Sequence, residues 1–225
     1  PELSKYAHDL GLEFGCTPFY LDAVNELNLY VDFFKIASYE LLWLDLFKAC
    51  GETGKPFIFS TGMANLDEVD AALQIITNTK TSNITILKCT SNYPTAPQDV
   101  HLESIQELRK IAANYGQNIQ VGLSDHTRSI PVILRAIHKY DISMVEFHLD
   151  IDQEGFEFGS GHCWLPEEVK KLRLMIDDGF KADGSRNFGP TSSEHHERNW
   201  RADATDGLRP LLKTRHDYLV DQSSK

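Results

Sequence analysis

The chain has 225 residues, 41% hydrophobic and 24% charged, which suits a globular protein with one substantial core. A formal net charge of −11 argues against a general nucleic-acid binder, which needs a basic face. No apolar run approaches the roughly 18 residues of a membrane span, and no basic-plus-apolar leader opens the sequence. The first residue is Pro1 rather than Met, so a processed chain or a piece of a longer one is expected.

Six apolar, β-rich runs appear in order: Leu12–Cys16, Phe33–Ala37, Phe57–Ser60, Ile84–Cys89, Ile119–Leu123 and Met144–His148. Helix-like stretches separate them. Asn65, followed three residues later by Glu68, reads as a capping box ahead of Val69, Leu73 and Ile76 at helical spacing. Leu102, Ile105, Leu108, Ile111 and Ala112 repeat that period over Leu102–Ala113. Pro131 falls in the first turn of a helix running to Tyr140, and Pro166-Glu167-Glu168 opens another through Met175.

Alternating β and α units of this length imply parallel strands joined by right-handed crossovers. No Gly-x-Gly-x-x-Gly follows a strand, which weighs against a dinucleotide-binding sheet. Polar residues instead recur just past the strands: Thr17, Ser38, Ser60-Thr61, Thr90-Ser91, Ser124-Asp125-His126, and Glu146 with His148. A barrel draws its active site from that rim. The expected fold is therefore an α/β (β/α)8 TIM barrel over residues 1–181, N-terminally truncated, with six strands visible and the first two missing. Residues 182–225, rich in Gly, Pro, Ser, His and charge, read as an irregular C-terminal tail. His195-His196 in that tail read as solvated side chains rather than a metal tract.

His126 and His148 end neighbouring strands, and two imidazoles on one rim can hold a single divalent ion. The competing reading makes each a hydrogen-bonded core histidine. Cys16, Cys50, Cys89 and Cys163 form no CxxC pair and read as buried thiols, which fits a reducing cytoplasm.

Six motifs then stand in register: Cys16-Thr17-Pro18-Phe19; Phe34-Lys35-Ile36-Ala37-Ser38; Gly54-Lys55-Pro56 leading to Ser60-Thr61-Gly62-Met63; Cys89-Thr90-Ser91-Asn92-Tyr93-Pro94; Gly122-Leu123-Ser124-Asp125-His126-Thr127; and Glu146-Phe147-His148. Together they closely resemble the sialic acid (N-acetylneuraminate) synthase family, which includes legionaminic and pseudaminic acid synthases, over roughly residues 10–180. The resemblance implies a (β/α)8 barrel, usually followed by a small antifreeze-protein-like domain. It implies a cytoplasmic transferase that condenses phosphoenolpyruvate with an N-acetylated amino sugar, N-acetylmannosamine or a relative. The products are a nine-carbon 2-keto sugar acid and phosphate. It also implies a homodimer, with no nucleic-acid or membrane partner.

By the same resemblance, His126 and His148 bind Mn2+ or Mg2+, a Lewis acid for the sugar aldehyde. Lys35, Ser38, Ser60, Ser91 and Ser124 cradle the anion, with Thr17 nearby; the competing reading has these serines simply ending strands. Glu40 matches a carboxylate that manages the aldehyde proton, although an acidic residue in a first helical turn is favourable anyway. Tyr93 matches a sugar contact or a plain wall residue. Asp125 is expected to orient His126 or to cap the next helix.

Several positions depart from the family pattern. The early strands, with a Lys of the phosphate site, are missing. Phe147 stands where Lys or Arg is usual, and Gly161 replaces a sugar-holding Asp in Gly159-Ser160-Gly161-His162. Trp164 is expected to pack against the barrel, and His162 either contacts substrate or does not. Two rival functions remain: a Schiff-base aldolase using Lys88 on a barrel strand, and a non-catalytic sugar- or anion-binding remnant.

Overall fold

In the computed structural model, which describes residues 1–116 and 118–178, the apolar runs become six parallel strands. They are β1 (Gly15–Cys16), β2 (Phe33–Ile36), β3 (Phe57–Ser60), β4 (Ile84–Lys88), β5 (Gln120–Asp125) and β6 (Val145–Phe147). Each pairs with the next in chain order, so β1 and β6 form the two edges. The helices are α1 (Glu2–Asp9), α2 (Leu21–Asn28), α3 (Leu44–Glu52), α4 (Leu66–Ile76), α5 (Ser104–Ala113), α6 (Ile130–Tyr140), the short α7 (Phe156–Gly159) and α8 (Pro166–Asp178). Six strands in unbroken βα order form the half-barrel of a (β/α)8 architecture.

Period-two alternation gives this sheet two faces. Ile36, Phe59, Ile86 and Val121 lie side by side across β2 to β5 and are buried against the helices. Phe47 of α3 meets Phe57 and Phe59 edge-on, with ring centres 5.1 and 5.3 Å apart. The capping box of α4 forms as expected: Asn65 Oδ1 accepts from the Glu68 amide and Glu68 accepts from the Asn65 amide. The other face carries Lys35, Ser60, Leu87, Gly122, Ser124 and Glu146, by the same register. Gly122 is required there, because a Cβ would lie 2.6 Å from both the Leu87 side chain and the Met144 carbonyl oxygen.

Two strand boundaries differ from expectation for local reasons. β1 covers only Gly15–Cys16 instead of starting at Leu12, because the Phe14 amide donates to the Asp32 carboxylate (2.7 Å) rather than to a neighbouring strand. β5 runs on to Asp125, past Leu123, because pairing with β6 continues through Ser124–Glu146 and Asp125–Phe147. α8 likewise continues beyond Met175 to Asp178. Residues 182–225, including His195-His196, lie outside the described residues. No described helix is long and apolar enough to cross a membrane.

Candidate active site

The inner face converges on Glu146. Lys35 Nζ stands 3.4 Å from Glu146 Oε2, and the Ser124 and Ser60 hydroxyls donate to Glu146 Oε1 at 2.8 and 3.4 Å. Lys35 is 13% exposed and also donates to the Ile36 carbonyl, so its charge sits in a semi-enclosed, oxygen-lined position. The Ser124–Glu146 register of β5 and β6 creates this contact. The sequence marked Glu146 as a rim residue beside His148 but gave it no role of its own. Its parity with Ser124 is the signal that marks it as a centre of the group.

A second group adjoins the first. The Ser38 hydroxyl accepts from the Gly62 amide at 2.9 Å. A Cβ at Gly62 would lie 2.3 Å from Ser91 Oγ, 2.7 Å from Ser38 Oγ and 3.1 Å from Cys89 Sγ, so the two serines and the cysteine crowd around one glycine. Ser91 Oγ is buried and has no hydrogen-bond partner. Burial would raise the Cys89 thiol pKa, but hydrogen bonds from His126, Ser38 and Ser124 outweigh it and hold the thiol low. The cysteine thus ties the serine cradle to the imidazoles.

His126 and His148 come together, with ring centres 5.2 Å apart. His126 Nδ1 is 2.8 Å from the Thr90 carbonyl, which can only accept, so Nδ1 carries the proton and Nε2 keeps its lone pair. Burial disfavours the imidazolium of His126, but Cys89 and the Thr90 carbonyl outweigh it and raise the pKa. His148 is about a third exposed, and its Nδ1 is 3.4 Å from Glu157 Oε2. Tyr93 lies over His126 with ring centres 4.1 Å apart; burial pushes its phenol up to about 12, so it stays neutral. His162 completes the cluster, 4.6 Å from His148 and 5.1 Å from Tyr93 by ring centres.

Other expected residues take different places. Thr17 follows β1 at the sheet edge, and its carbonyl receives the Cys16 thiol. Glu40 ends a short 3-10 turn over Ser38–Glu40, with one carboxylate oxygen buried and unpartnered; no described contact brings it to the imidazoles. Asp125 does not orient His126. Its carboxylate accepts from Thr127, the Arg128 amide and the Trp164 indole, fixing the turn ahead of α6. Phe147 points to the opposite face from Glu146 and packs against Trp164, which explains how an apolar side chain stands there. Gly161 has φ +84, a backbone conformation that strains any side chain, the aspartate of the resemblance included. Cys50, Cys89 and Cys163 are buried and Cys16 half-buried, all reduced.

The Schiff-base lysine is a correction. The register pairs Lys88 with Leu123, on the helix-facing side of the sheet, so it cannot share a pocket with Lys35 and Glu146. Burial lowers its pKa, and its ammonium donates to the Cys89 carbonyl and to Thr90 Oγ1.

Residues 1–187 match the NeuB family. An uncharacterized protein of Methanocaldococcus jannaschii is 38% identical over 198 residues, covering 86% of this chain and 56% of its own length. The N,N'-diacetyllegionaminic acid synthase of Campylobacter jejuni is 34% identical over 201 residues, covering 88% of this chain and 58% of the relative. The crystal structure of a spore coat polysaccharide biosynthesis protein from Bacillus subtilis superposes with a TM-score of 0.70 at 27% identity, covering 78% of this chain and 48% of that one. The chain spans little more than half the length of the curated relatives named here. With its family match running through nearly every element of the half-barrel, the chain belongs to the NeuB family, whose members among its relatives are sialic, legionaminic and pseudaminic acid synthases.

Proposed function

We propose that this chain supplies the carboxyl-rim chemistry of a sugar acid synthase that condenses phosphoenolpyruvate with an N-acetylated amino sugar, releasing phosphate and a nine-carbon 2-keto acid. The observation that carries this reading is the convergence of Lys35, Ser60 and Ser124 on one point of the inner face, next to the His126–His148 pair. One lysine charge ringed by hydroxyls suits a ligand carrying both phosphate and carboxylate, even in an acidic protein. Glu146 meets these same donors.

The imidazole pair fits a divalent cation, Mn2+ or Mg2+ by resemblance. His126 is fixed in the tautomer that leaves Nε2 free, and the His148 ring is 5.2 Å away. When bound, such an ion supplies a Lewis acid for an aldehyde oxygen. The chain's own residues do the rest. Lys35 holds the anion, and Ser38, Ser91 and Ser124 orient it. The neutral Tyr93 phenol walls the sugar side. Glu40, which has a buried oxygen without a partner, takes or gives the proton when a substrate hydroxyl reaches it. C3 of phosphoenolpyruvate attacks the aldehyde carbon, water adds at C2, and phosphate leaves by C–O cleavage. The chain thereby positions the reactants and stabilises charge.

The test is phosphate release from phosphoenolpyruvate by the whole protein, with and without N-acetylmannosamine and manganese, and with the keto acid identified by mass. Release that requires the amino sugar and is abolished by a chelator supports the proposal. Release indifferent to the sugar, or a borohydride-trapped pyruvate adduct on Lys88, overturns it.

A further inference from the structure

The segment after β6 folds back onto that strand. Leu149 and Trp164 form a parallel bridge; the Trp164 amide donates to the His148 carbonyl at 2.8 Å, and the Asp150 amide to the Trp164 carbonyl at 2.9 Å. This short ladder sets His162 and Cys163 beside His148. Gly161, just ahead of them, has φ +84, a backbone conformation that favours glycine. Above them, α7 brings Glu157 to His148 Nδ1 at 3.4 Å. One donor atom from each of His148, Glu157, His162 and Cys163 lies within 4.8 Å of the other three.

A second, independent observation points to a ligand. His162 is 3% exposed, yet neither of its ring nitrogens has a hydrogen-bond partner. Burying an imidazole with both nitrogens unsatisfied is costly, and buried polar groups are ordinarily paired. Cys163 beside it is 2% exposed and free of any disulfide, while the exposed Glu157 meets the group from the solvent side.

We propose that His148, Glu157, His162 and Cys163 together bind one divalent transition-metal ion of the zinc class. Two imidazoles and a thiolate are the donors that zinc and its neighbours select, whereas magnesium and manganese favour oxygen. His162 and Cys163 supply the buried side and Glu157 the solvent side, and four protein donors are the number that a closed, tetrahedral zinc-class site takes. His126 is not in this set; its ring centre is 6.2 Å from His162, against 4.6 Å for His148. The inference rests on the proposed synthase reading only in that both use His148. An ion held here and an ion on the His126–His148 pair compete for that one imidazole, so the two sites fill as alternatives.

The experiment titrates the metal-stripped whole protein with Co2+ and follows the near-ultraviolet thiolate-to-cobalt charge-transfer band, with zinc as competitor. The expected result is one cobalt per chain with that band present. Cys163→Ser abolishes the band, and His162→Gln weakens binding by about tenfold or more. Glu157→Gln, a change at an exposed side chain that leaves the core untouched, weakens binding severalfold and keeps the band. His126→Asn and Cys89→Ser keep both the band and an affinity within about threefold of the unaltered protein. A missing band, a band that survives Cys163→Ser, or a band lost in Cys89→Ser overturns the proposal. Sugar-dependent phosphate release without any sulfur-to-cobalt band sinks this site and spares the synthase reading. The band without phosphate release does the reverse.

Discussion

Replacing Glu146 by Gln tests the electrostatic centre of the pocket. The Lys35–Glu146 pair is separated by 3.4 Å. At an effective dielectric of about 20, that distance corresponds to a gross attraction of roughly 5 kcal/mol. Most of this is offset by desolvation and by screening, because Glu146 is 36% exposed. The two serine hydroxyls then donate to a neutral amide in place of a carboxylate, a weaker bond. The expected net loss of stability for E146Q is about 1–2 kcal/mol, read from urea denaturation. The same change frees the Lys35 ammonium, so calorimetry should show phosphoenolpyruvate binding severalfold tighter. Lys35→Met should lose about tenfold or more of that affinity, equivalent to about 1.4 kcal/mol. If E146Q leaves stability unchanged and weakens phosphoenolpyruvate binding as much as K35M does, Glu146 and the ligand do not share Lys35 and the reasoning is wrong.

Three further outcomes follow from particular contacts. Gly62→Ala places a methyl 2.3 Å from Ser91 Oγ and 2.7 Å from Ser38 Oγ; both hydroxyls can rotate away, so denaturation should show a cost of only about 1 kcal/mol while calorimetry shows weakened phosphoenolpyruvate binding. Gly122→Ala meets the Met144 backbone carbonyl at 2.6 Å, which cannot rotate away, so a loss of about 3 kcal/mol is expected in the same denaturation assay, and a loss under about 0.5 kcal/mol would contradict the β5–β6 register. Burial alone would raise the Asp32 pKa, but the Phe14 amide and the His8 ring outweigh it and lower it. A carboxyl held low when folded stabilises above its unfolded pKa of about 3.9 and loses that contribution as pH falls through the folded value. The stability gap between the unaltered protein and Asp32→Asn should therefore shrink as the pH falls below about 4, as followed by denaturation across acid pH.

What could be read from the sequence was whatever depends on neighbours along the chain. Apolar runs at strand length alternating with helical periods dictate βα units, and the Asn65–Glu68 pair announces its helix start because capping is a contact across three residues. The positions of Ser60, Ser124, His126 and His148 at strand ends were likewise legible, since parallel connections send every carboxyl end to the same rim. Strand parity was harder. Lys88 lies on a strand, but only the pairing register shows it facing the helices rather than the pocket, because a one-residue step moves a side chain to the other face. Parity also chose between the two roles open to Asp125: it turns the carboxylate away from His126, toward the turn ahead of α6 and Trp164, a residue 39 positions later.

The groups that give the site its character were decided in three dimensions. Glu146 becomes the focus of Lys35, Ser60 and Ser124 only when β2, β3, β5 and β6 are brought side by side. His148 meets His162, Cys163 and Glu157 only because the chain doubles back along β6 through the Leu149–Trp164 bridge. Chain-local chemistry sets which elements form. Long-range pairing and loop closure set which side chains share a pocket, because donor atoms from distant residues act together only when a rigid backbone holds them within ångströms of each other.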